Sequence, residues 1–276
     1  MNGDQRCLIA VDLDDTILSG LFSLSSASVM ALIEAQSAGH VVMIATARPS
    51  CMALPYHRAM GLRGPISTLN GAYLYHPDDA GFPARRELIG EASVAAISGA
   101  IKRAGIAYAW MERDDDLAAI HLPRPEHLYF REVFRQSNVT FHQELPILPA
   151  GRIFAYADGQ AQADRVLAET AACSDVNCRL FSQKEGGFRL NFASAAADKW
   201  HAVKRAADWY GIDPKNIIAF GDQENDRMML FSAGHGFVMC NGGAKLRQDA
   251  VRAGVGVTKR TCADGGVAWE LKKLLP

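Results

Sequence analysis

Residues 7–16, CLIAVDLDDT, are the most informative segment of the chain. Its first part, Cys7–Asp12, is an almost continuous apolar run, which is typical of a strand buried on both faces, as in parallel sheets. The acidic residues Asp12 and Asp14 stand where this run ends. Because ligands in open parallel sheets bind beyond the carboxyl ends of the strands, the segment predicts a functional site at this point.

Two further apolar strands are predicted, at His40–Thr46 and Ile217–Gly221, and helices such as Ala27–Ala38 alternate with the strands. Polar residues follow these two strands or begin the helix predicted after the middle of the chain: Thr46, Arg48, Lys199, Asp222, Asn225 and Asp226. Carboxyl ends of parallel strands meet at one edge of a sheet. The pattern therefore predicts an α/β fold with a Rossmann-like parallel sheet, and all of these side chains at one edge of it.

The alternation of strands and helices stops after Tyr75 and returns after Ala193. The intervening segment mixes hairpin and helix patterns, so it is α+β in character. We therefore predict a parallel catalytic core, residues 1–75 plus 193–276, interrupted by an inserted cap domain, residues 76–192. Within the insertion, the acidic run Glu112–Asp116 is expected to be a solvated loop, and a helix is predicted near Glu126–Arg135.

Composition narrows the classes of function. The 276 residues carry 29 Lys and Arg against 30 Asp and Glu, so the net charge is -1. This balance argues against nucleic acid as the main partner, because phosphate backbones require a basic surface. No secretory signal and no apolar run of membrane-spanning length is visible, and the six cysteines are scattered. We expect a cytoplasmic protein with reduced thiols and no membrane partner, as a monomer or weak homodimer.

The predicted edge also suggests a chemistry. Carboxylates that meet at one edge repel one another and raise one another's pKa values unless a cation lies among them. They are hard oxygen ligands, for which Mg²⁺ is the natural guest, and Lys199 and Thr46 would then bind the remaining oxygens of a phosphate group. Under these conditions one carboxylate can attack phosphorus, and a second can protonate the leaving oxygen and later activate water.

Four motifs in this order resemble those of the haloacid dehalogenase superfamily. They are DLDDTIL at 12–18 (the DxDxT motif), TARP at 46–49, Lys199, and GDQEND at 221–226. The stretches MCNG at 239–242 and DGGVA at 264–268 resemble the C-terminal part of the Cof-type branch, with Gly242 where that branch usually has Ala. The insertion lies between the second and third motifs, where this branch carries a C2-type (IIB) cap. The resemblance covers essentially the whole chain.

The resemblance implies a role for each matching residue. Asp12 corresponds to the nucleophile, and Asp14 to the general acid/base, whose backbone carbonyl also binds Mg²⁺. Asp222 corresponds to the metal carboxylate, with Asp226 supporting the metal. The remaining residues follow the family as phosphate ligands and, more weakly, as substrate contacts: Thr46, Lys199 and Asn225 for phosphate, Arg48 and Asn70 for substrate. An Asp two positions after the nucleophile fits phosphate esters that are hydrolysed or moved within a sugar.

We therefore expect a Mg²⁺-dependent phosphatase that hydrolyses a small phosphorylated metabolite, such as a sugar phosphate, through an aspartyl phosphate. A sugar phosphomutase is the enzyme alternative, and it would need a second phosphate clamp. A receiver-type signalling protein would be about half this length, with its acceptor Asp on a middle strand. A non-catalytic metabolite-binding protein on the same fold is the third alternative. No motif in the cap identifies a substrate, and Arg152 and Arg189 are not distinguishable from solvated surface arginines.

Overall fold

Leu8–Val11 forms a fully buried strand near the centre of the larger sheet in the computed structural model, which describes residues 6–20, 23–123, 127–183 and 186–275. The strands in chain order are β1 (Leu8–Val11), β2 (Leu18–Ser19), β3 (Ser23–Leu24), β4 (Val41–Ala45), β5 (Ile66–Thr68), β6 (Tyr73–Tyr75), β7 (Arg85–Arg86), β8 (Tyr108–Arg113), β9 (Asp116–Ala119), β10 (Asn138–Phe141), β11 (Arg152–Ala157), β12 (Val176–Ser182), β13 (Phe188–Ser194), β14 (Ile217–Gly221), β15 (His235–Val238) and β16 (Gly256–Val257).

The helices in chain order are α1 (Ser26–Ser37), α2 (Ser50–Ala59), α3 (Glu91–Arg103), α4 (Leu128–Gln136), α5 (Gln160–Thr170), α6 (Lys199–Trp209), α7 (Arg227–Ser232), α8 (Ala244–Ala253) and α9 (Gly266–Leu274). Helix α1 shows how the sequence sets such an element. It follows Ser25, buries Ala31 and Leu32, and ends just before Gly39, which adopts a φ of 95° that favours glycine. Among the described residues, no helix is long and apolar enough to cross a membrane.

Two sheets dominate the described residues. The larger has the order β16-β15-β14-β1-β4-β5-β6-β7 and is parallel from β16 to β5. Along β1, Ile9 and Val11 pack into one apolar cluster while Leu8 and Ala10 pack into another, so the strand is buried on both faces. The α/β fold predicted from this segment is therefore confirmed. The smaller sheet has the order β10-β9-β8-β11-β13-β12 and is mixed, since β9 and β10 run parallel and the other pairs antiparallel.

The chain divides into two compact units, residues 1–48, 53–85 and 198–276, and residues 49–52 and 86–197. The first contains the larger sheet and the second the smaller one. Strand β7 belongs to the larger sheet, so the change of unit near residue 85 comes later in the chain than the loss of sequence alternation after Tyr75. The predicted domain boundaries themselves stay predictions.

Two expectations about the insertion need correction. The acidic run does not form a solvated loop throughout, because β8 and β9 extend into it and Glu112 is only 1% exposed. Glu112 forms an ion pair with Arg152, which is itself buried, so Arg152 is not a solvated surface arginine. The helix predicted near Glu126–Arg135 is α4; its predicted first residue lies outside the described part of the chain.

Candidate active site

Three buried carboxylates meet just beyond the ends of β1 and β14. These strands pair in parallel, and the backbone N–H of Asp12 continues the pairing by donating to Phe220 O at 3.0 Å. The register therefore brings Asp12 beside the loop that carries Asp222 and Asp226. One carboxylate oxygen from each of these three residues lies within 4.8 Å of the others. The strand-end argument predicted this meeting from the sequence alone.

Lys199, at the start of α6, is the buried cation of this carboxylate cluster. Its Nζ lies 2.9 Å from Asp12 Oδ1 and 2.6 Å from Asp226 Oδ1, and its side chain is fully buried. Burial alone would lower the pKa of Lys199, but its attraction to the two carboxylates outweighs this and raises it. Lys199 is therefore held in its charged form, as a ligand for a phosphate oxygen requires.

One lysine leaves the three carboxylates with excess negative charge. Burial raises the pKa of Asp12 to about 7, where attraction to Lys199 works against repulsion from Asp226. Burial and repulsion from Asp12 raise the pKa of Asp222 to about 8. A divalent cation among these oxygens would relieve both effects, and a donor set made of carboxylates suits a hard ion such as Mg²⁺. The residues present therefore fit the metal that the sequence predicts.

Asp226 has an additional structural part in this cluster. Its Oδ1 accepts from Lys199, while its Oδ2 accepts from the backbone N–H groups of Asp222 at 2.9 Å and Gln223 at 3.0 Å. Gly221 makes room for this arrangement, because a Cβ there would lie 2.5 Å from Asp226 Cγ. One oxygen of Asp226 thus shapes the loop that presents Asp222, and the other binds Lys199.

Asp14 and Arg48 form a two-point ion pair next to the cluster. Arg48 Nε donates to Asp14 Oδ2 at 2.9 Å and Arg48 Nη2 to Asp14 Oδ1 at 2.5 Å. The arginine side chain is fully buried, whereas 41% of the Asp14 side chain is exposed. The backbone N–H of Arg48 also donates to Thr46 Oγ1. The structure thus places Arg48 on Asp14, and its predicted contact with substrate stays a prediction.

Asn70 and Asn225 connect the second and fourth motifs. Asn225 Nδ2 donates to Asn70 Oδ1 at 2.9 Å, and the backbone N–H of Asn70 donates to Thr46 O at 2.9 Å. The turn is possible because Gly71 adopts a φ of 97° and lies against the start of α6, where a Cβ would come within 2.3 Å of Asp198 O. Every predicted site residue therefore lies in the first unit. Their contacts form two sets: Asp12, Lys199, Asp222 and Asp226 in one, and Asp14, Arg48, Thr46, Asn70 and Asn225 in the other.

No role could be assigned from the sequence to three residues of the site, Gln223, Asn241 and Gly242. Gln223 Nε2 donates to Asp222 Oδ2 at 2.9 Å and orients that carboxylate. Asn241 joins the first motif to the C-terminal loop, since its Nδ2 donates to Asp15 O at 2.7 Å and its Oδ1 accepts from the backbone of Cys262. Gly242 packs against the backbone of Asp222. The MCNG stretch that contains the last two was noticed in the sequence, but no role followed from it.

A cavity with a volume of about 900 Å³ lies in the second unit, and none of the predicted site residues lines it. Its lining includes Tyr108, Arg131, Phe134 and Phe141. Because catalysis needs converging acidic, basic or nucleophilic groups, the carboxylate cluster of the first unit is the better candidate for the active site.

Comparisons with known proteins agree with this geometry. A family model described as haloacid dehalogenase-like hydrolase matches residues 9–271. The chain is 28% identical over 269 residues to the 5-amino-6-(5-phospho-D-ribitylamino)uracil phosphatase YitU of Bacillus subtilis, covering 96% of each chain. It is 27% identical over 268 residues to the pyridoxal phosphate phosphatase YbhA of Escherichia coli, covering 89% of this chain and 90% of the relative.

Solved structures show the same fold. A haloacid dehalogenase-like hydrolase from Bacteroides thetaiotaomicron superposes with a TM-score of 0.80 over 98% of this chain and 100% of that one, at 19% identity. A subclass IIB sugar phosphatase superposes with a TM-score of 0.74 over 97% of this chain and 98% of that one, at 18% identity. At this level of identity the likeness concerns the fold and does not extend to the substrate.

Proposed function

The chain belongs to the haloacid dehalogenase-like hydrolase family, in its Cof-type IIB branch with an inserted cap sheet, and from this we propose a Mg²⁺-dependent hydrolysis through an aspartyl phosphate on Asp12. As a member it is a phosphatase, a phosphoric monoester hydrolase that acts on small phosphate monoesters. A match over residues 9–271 is inconsistent with the shorter receiver-type protein, and phosphatase activity is inconsistent with a non-catalytic binding protein.

The observation that carries the proposal is the buried cluster of Asp12, Asp222 and Asp226 around Lys199. Asp12 and Asp222, with Asp226 beside them, would hold Mg²⁺, which when bound neutralises charge between the carboxylates and the phosphoryl oxygens. We assign Lys199 to a phosphoryl oxygen next to Asp12, because its charged Nζ lies 2.9 Å from Asp12 Oδ1. We assign Thr46 and Asn225 to the remaining oxygens, following the family resemblance and because both contact Asn70.

The reaction divides into two steps on the chain's own side chains. An oxygen of Asp12 attacks phosphorus, and the bond to the leaving oxygen breaks as that oxygen takes a proton from Asp14. In the second step Asp14 takes a proton from water, whose oxygen attacks the phosphorus of the aspartyl phosphate and releases Asp12 and inorganic phosphate. Arg48 orients Asp14 by donating to both of its carboxyl oxygens.

We further propose that the inserted unit, predicted over residues 76–192, sets which ester is preferred. The residues of the carboxylate cluster recognise phosphate and metal, which are common to every candidate substrate. Groups that distinguish one alcohol from another must therefore come from elsewhere in the chain, and the insertion is its largest remaining part. The specific metabolite, the cytoplasmic location and the monomeric or weakly dimeric state stay predictions.

The test is release of inorganic phosphate from a panel of phosphorylated sugars, nucleotides and cofactors. We expect release with Mg²⁺, loss of release in excess chelator, and recovery when Mg²⁺ is restored. Ca²⁺ should support the reaction poorly, because it takes 6–8 oxygen ligands in a looser geometry. Isomerisation of a sugar phosphate without phosphate release would instead support the mutase alternative, and full activity in chelator would contradict the proposed mechanism.

A further inference from the structure

The smaller sheet has two chemically different faces. Leu190 and Phe192 of β13 pack into the apolar cluster beneath α3 and α5. Because side chains alternate along a strand, Arg189 and Asn191 point to the opposite face, where Trp110 and Phe154 form a second cluster. This second face therefore carries polar groups of β13 within a mainly aromatic surrounding.

Aromatic rings hold the Arg189 side chain in place, and among the described residues its Nε has no polar partner. Its guanidinium carbon lies 4.7 Å from the ring centre of Phe181, 5.3 Å from that of Phe130 and 5.7 Å from that of Phe154. Its Nε is buried without a hydrogen-bond acceptor, and the described part of the chain offers this arginine neither a hydrogen bond nor an ion pair. The rings fix the direction of the guanidinium group but satisfy none of its N–H donors.

Arg152 lies on the same face, and the comparison shows that the missing partner of Arg189 follows from its place in the sheet. Arg152 Nε and Nη2 both donate to Glu112 Oε2, at 2.9 Å and 2.5 Å. The cross-strand register places Glu112 directly opposite Arg152, whereas it places Tyr156 and Phe181 opposite Arg189. One arginine of the face is thus neutralised by a carboxylate on the neighbouring strand, and the other has no carboxylate opposite it in the register.

Asn191 adds a second unsatisfied group. Its Oδ1 is buried without a donor within the described residues. It follows Arg189 by two residues, so the two side chains are about 7 Å apart along the strand. Arg179, which is exposed, lies opposite Asn191 in the register of β12 and β13 and adds a second positive charge. The position thus offers a guanidinium fork, an amide acceptor and a second arginine.

Buried polar groups in native proteins are almost always hydrogen-bonded, since an unmade bond leaves the full cost of desolvation. A carboxylate or phosphate matches the guanidinium fork of Arg189, and a hydroxyl next to it would donate to Asn191 Oδ1. We propose that Arg189, Asn191 and Arg179 form a recognition site for a small oxyanion with a neighbouring hydroxyl group. The ligand is either the end of a substrate remote from its reacting phosphate or a separate hydroxy-acid or phosphate metabolite.

Direct binding tests the site on the full chain with Mg²⁺ present. The probe is D-glycerate, which carries a carboxylate beside a hydroxyl and cannot be turned over by a phosphatase. We expect it to shift the Arg189 Nε–H signal in ¹⁵N NMR, whereas propionate, without hydroxyls, binds more weakly and glycerol, without charge, weaker still. Arg189→Gln and Asn191→Leu should each weaken D-glycerate binding about 10-fold or more.

Arg165→Gln is the matched control for charge. This arginine lies on α5, is half exposed and pairs with Glu169, so its loss removes one positive charge from the same unit without touching β13. It should bind D-glycerate as the unaltered chain does. No shift with D-glycerate in the unaltered chain, or equal binding by the Arg189 and Arg165 variants, would mean that solvent alone satisfies these atoms, and would overturn the proposal.

A kinetic comparison then identifies the source of the anion, and this step rests on the proposed phosphatase function. The measured quantity is the ratio of kcat/KM for 3-phosphoglycerate to that for glycerol 3-phosphate, which lacks the carboxylate. A fall of about 10-fold in this ratio in Arg189→Gln identifies the anion as part of the substrate. An unchanged ratio together with lost D-glycerate binding identifies a separate metabolite. Absence of phosphate release would count against the proposed function and leave the binding result unaffected.

Discussion

The carboxylate cluster and the polar face of β13 both bury charged groups, but they treat them in opposite ways. In the cluster, Lys199 is paired with two carboxylates, and Asp226 uses both of its oxygens. On β13, Arg189 Nε and Asn191 Oδ1 are buried without partners among the described residues. Under the proposed function, the groups that bind phosphate and metal are held by one another, whereas the groups of the proposed oxyanion site stay open to their ligand.

The sharpest test of the cluster is Asp12→Asn. An amide is a very weak nucleophile toward phosphorus, so we expect phosphate release to fall by about 10⁴-fold or more. Asp208→Asn is the control, because Asp208 is exposed and, among the described residues, its carboxylate pairs with Lys204 on the surface of α6. Turnover by Asp12→Asn at the unaltered rate would show that the nucleophile lies elsewhere.

Asp14→Asn should have the next largest effect. Removing a general acid/base typically costs about 10²–10⁴-fold in rate. Arg48→Lys, which keeps the charge but loses the two-point contact, should cost less, and its loss should fall on kcat more than on KM, because Arg48 acts through Asp14. The first step alone, measured as the burst of alcohol released while the aspartyl phosphate forms, should recover partly with a good leaving group such as 4-nitrophenol, since such a group needs little protonation. An equal loss in this burst rate with good and poor leaving groups would contradict the assignment of Asp14 as the acid.

The carboxylate cluster could be predicted from the sequence, whereas the partners of the two arginines in the insertion could not. The reason is physical. Asp12, Thr46 and Asp222 stand at the ends of apolar runs, and parallel pairing brings such ends together whatever the details of packing. Arg152 and Arg189 look alike in sequence, because each stands on a strand between apolar residues. Only the register of β8, β11 and β13 gives one of them a carboxylate.

The pairing of Arg48 with Asp14 could not be predicted from the sequence, for a related reason. The two residues are 34 positions apart, and their contact depends on the directions of two loops that no periodicity encodes. The motif placed Arg48 at the correct edge of the sheet but did not predict which residue it would bind. Sequence order thus predicts which residues share an edge, while side-chain direction and strand register decide which of them bind one another.

The comparison of the two arginines predicts different effects on stability. Arg152→Gln leaves Glu112 buried without its cation, so we expect a loss of about 3–5 kcal/mol in the free energy of unfolding. Arg189→Gln breaks no ion pair among the described residues and loses only its contacts with the aromatic rings, so the loss should be smaller, about 1–2 kcal/mol. Urea denaturation of both variants checks this. The double variant Arg152→Met/Glu112→Leu should recover most of the loss, and a mild effect of Arg152→Gln alone would contradict the contrast.

Gly242→Ala should have the smallest effect on the cluster, and it probes the one departure from the family pattern. A Cβ at Gly242 would lie 2.5 Å from Asp222 O and 3.0 Å from Asp222 Cα, so the loop that presents this carboxylate must shift. We expect kcat to fall about 10-fold, which is about 1.4 kcal/mol, and the Mg²⁺ concentration for half-maximal activity to rise. Gly243→Ala is the adjacent control, because a Cβ there would approach no atom closer than 3.6 Å. If both variants required the same Mg²⁺ concentration, the close packing of Gly242 against Asp222 would not be what positions the metal carboxylate.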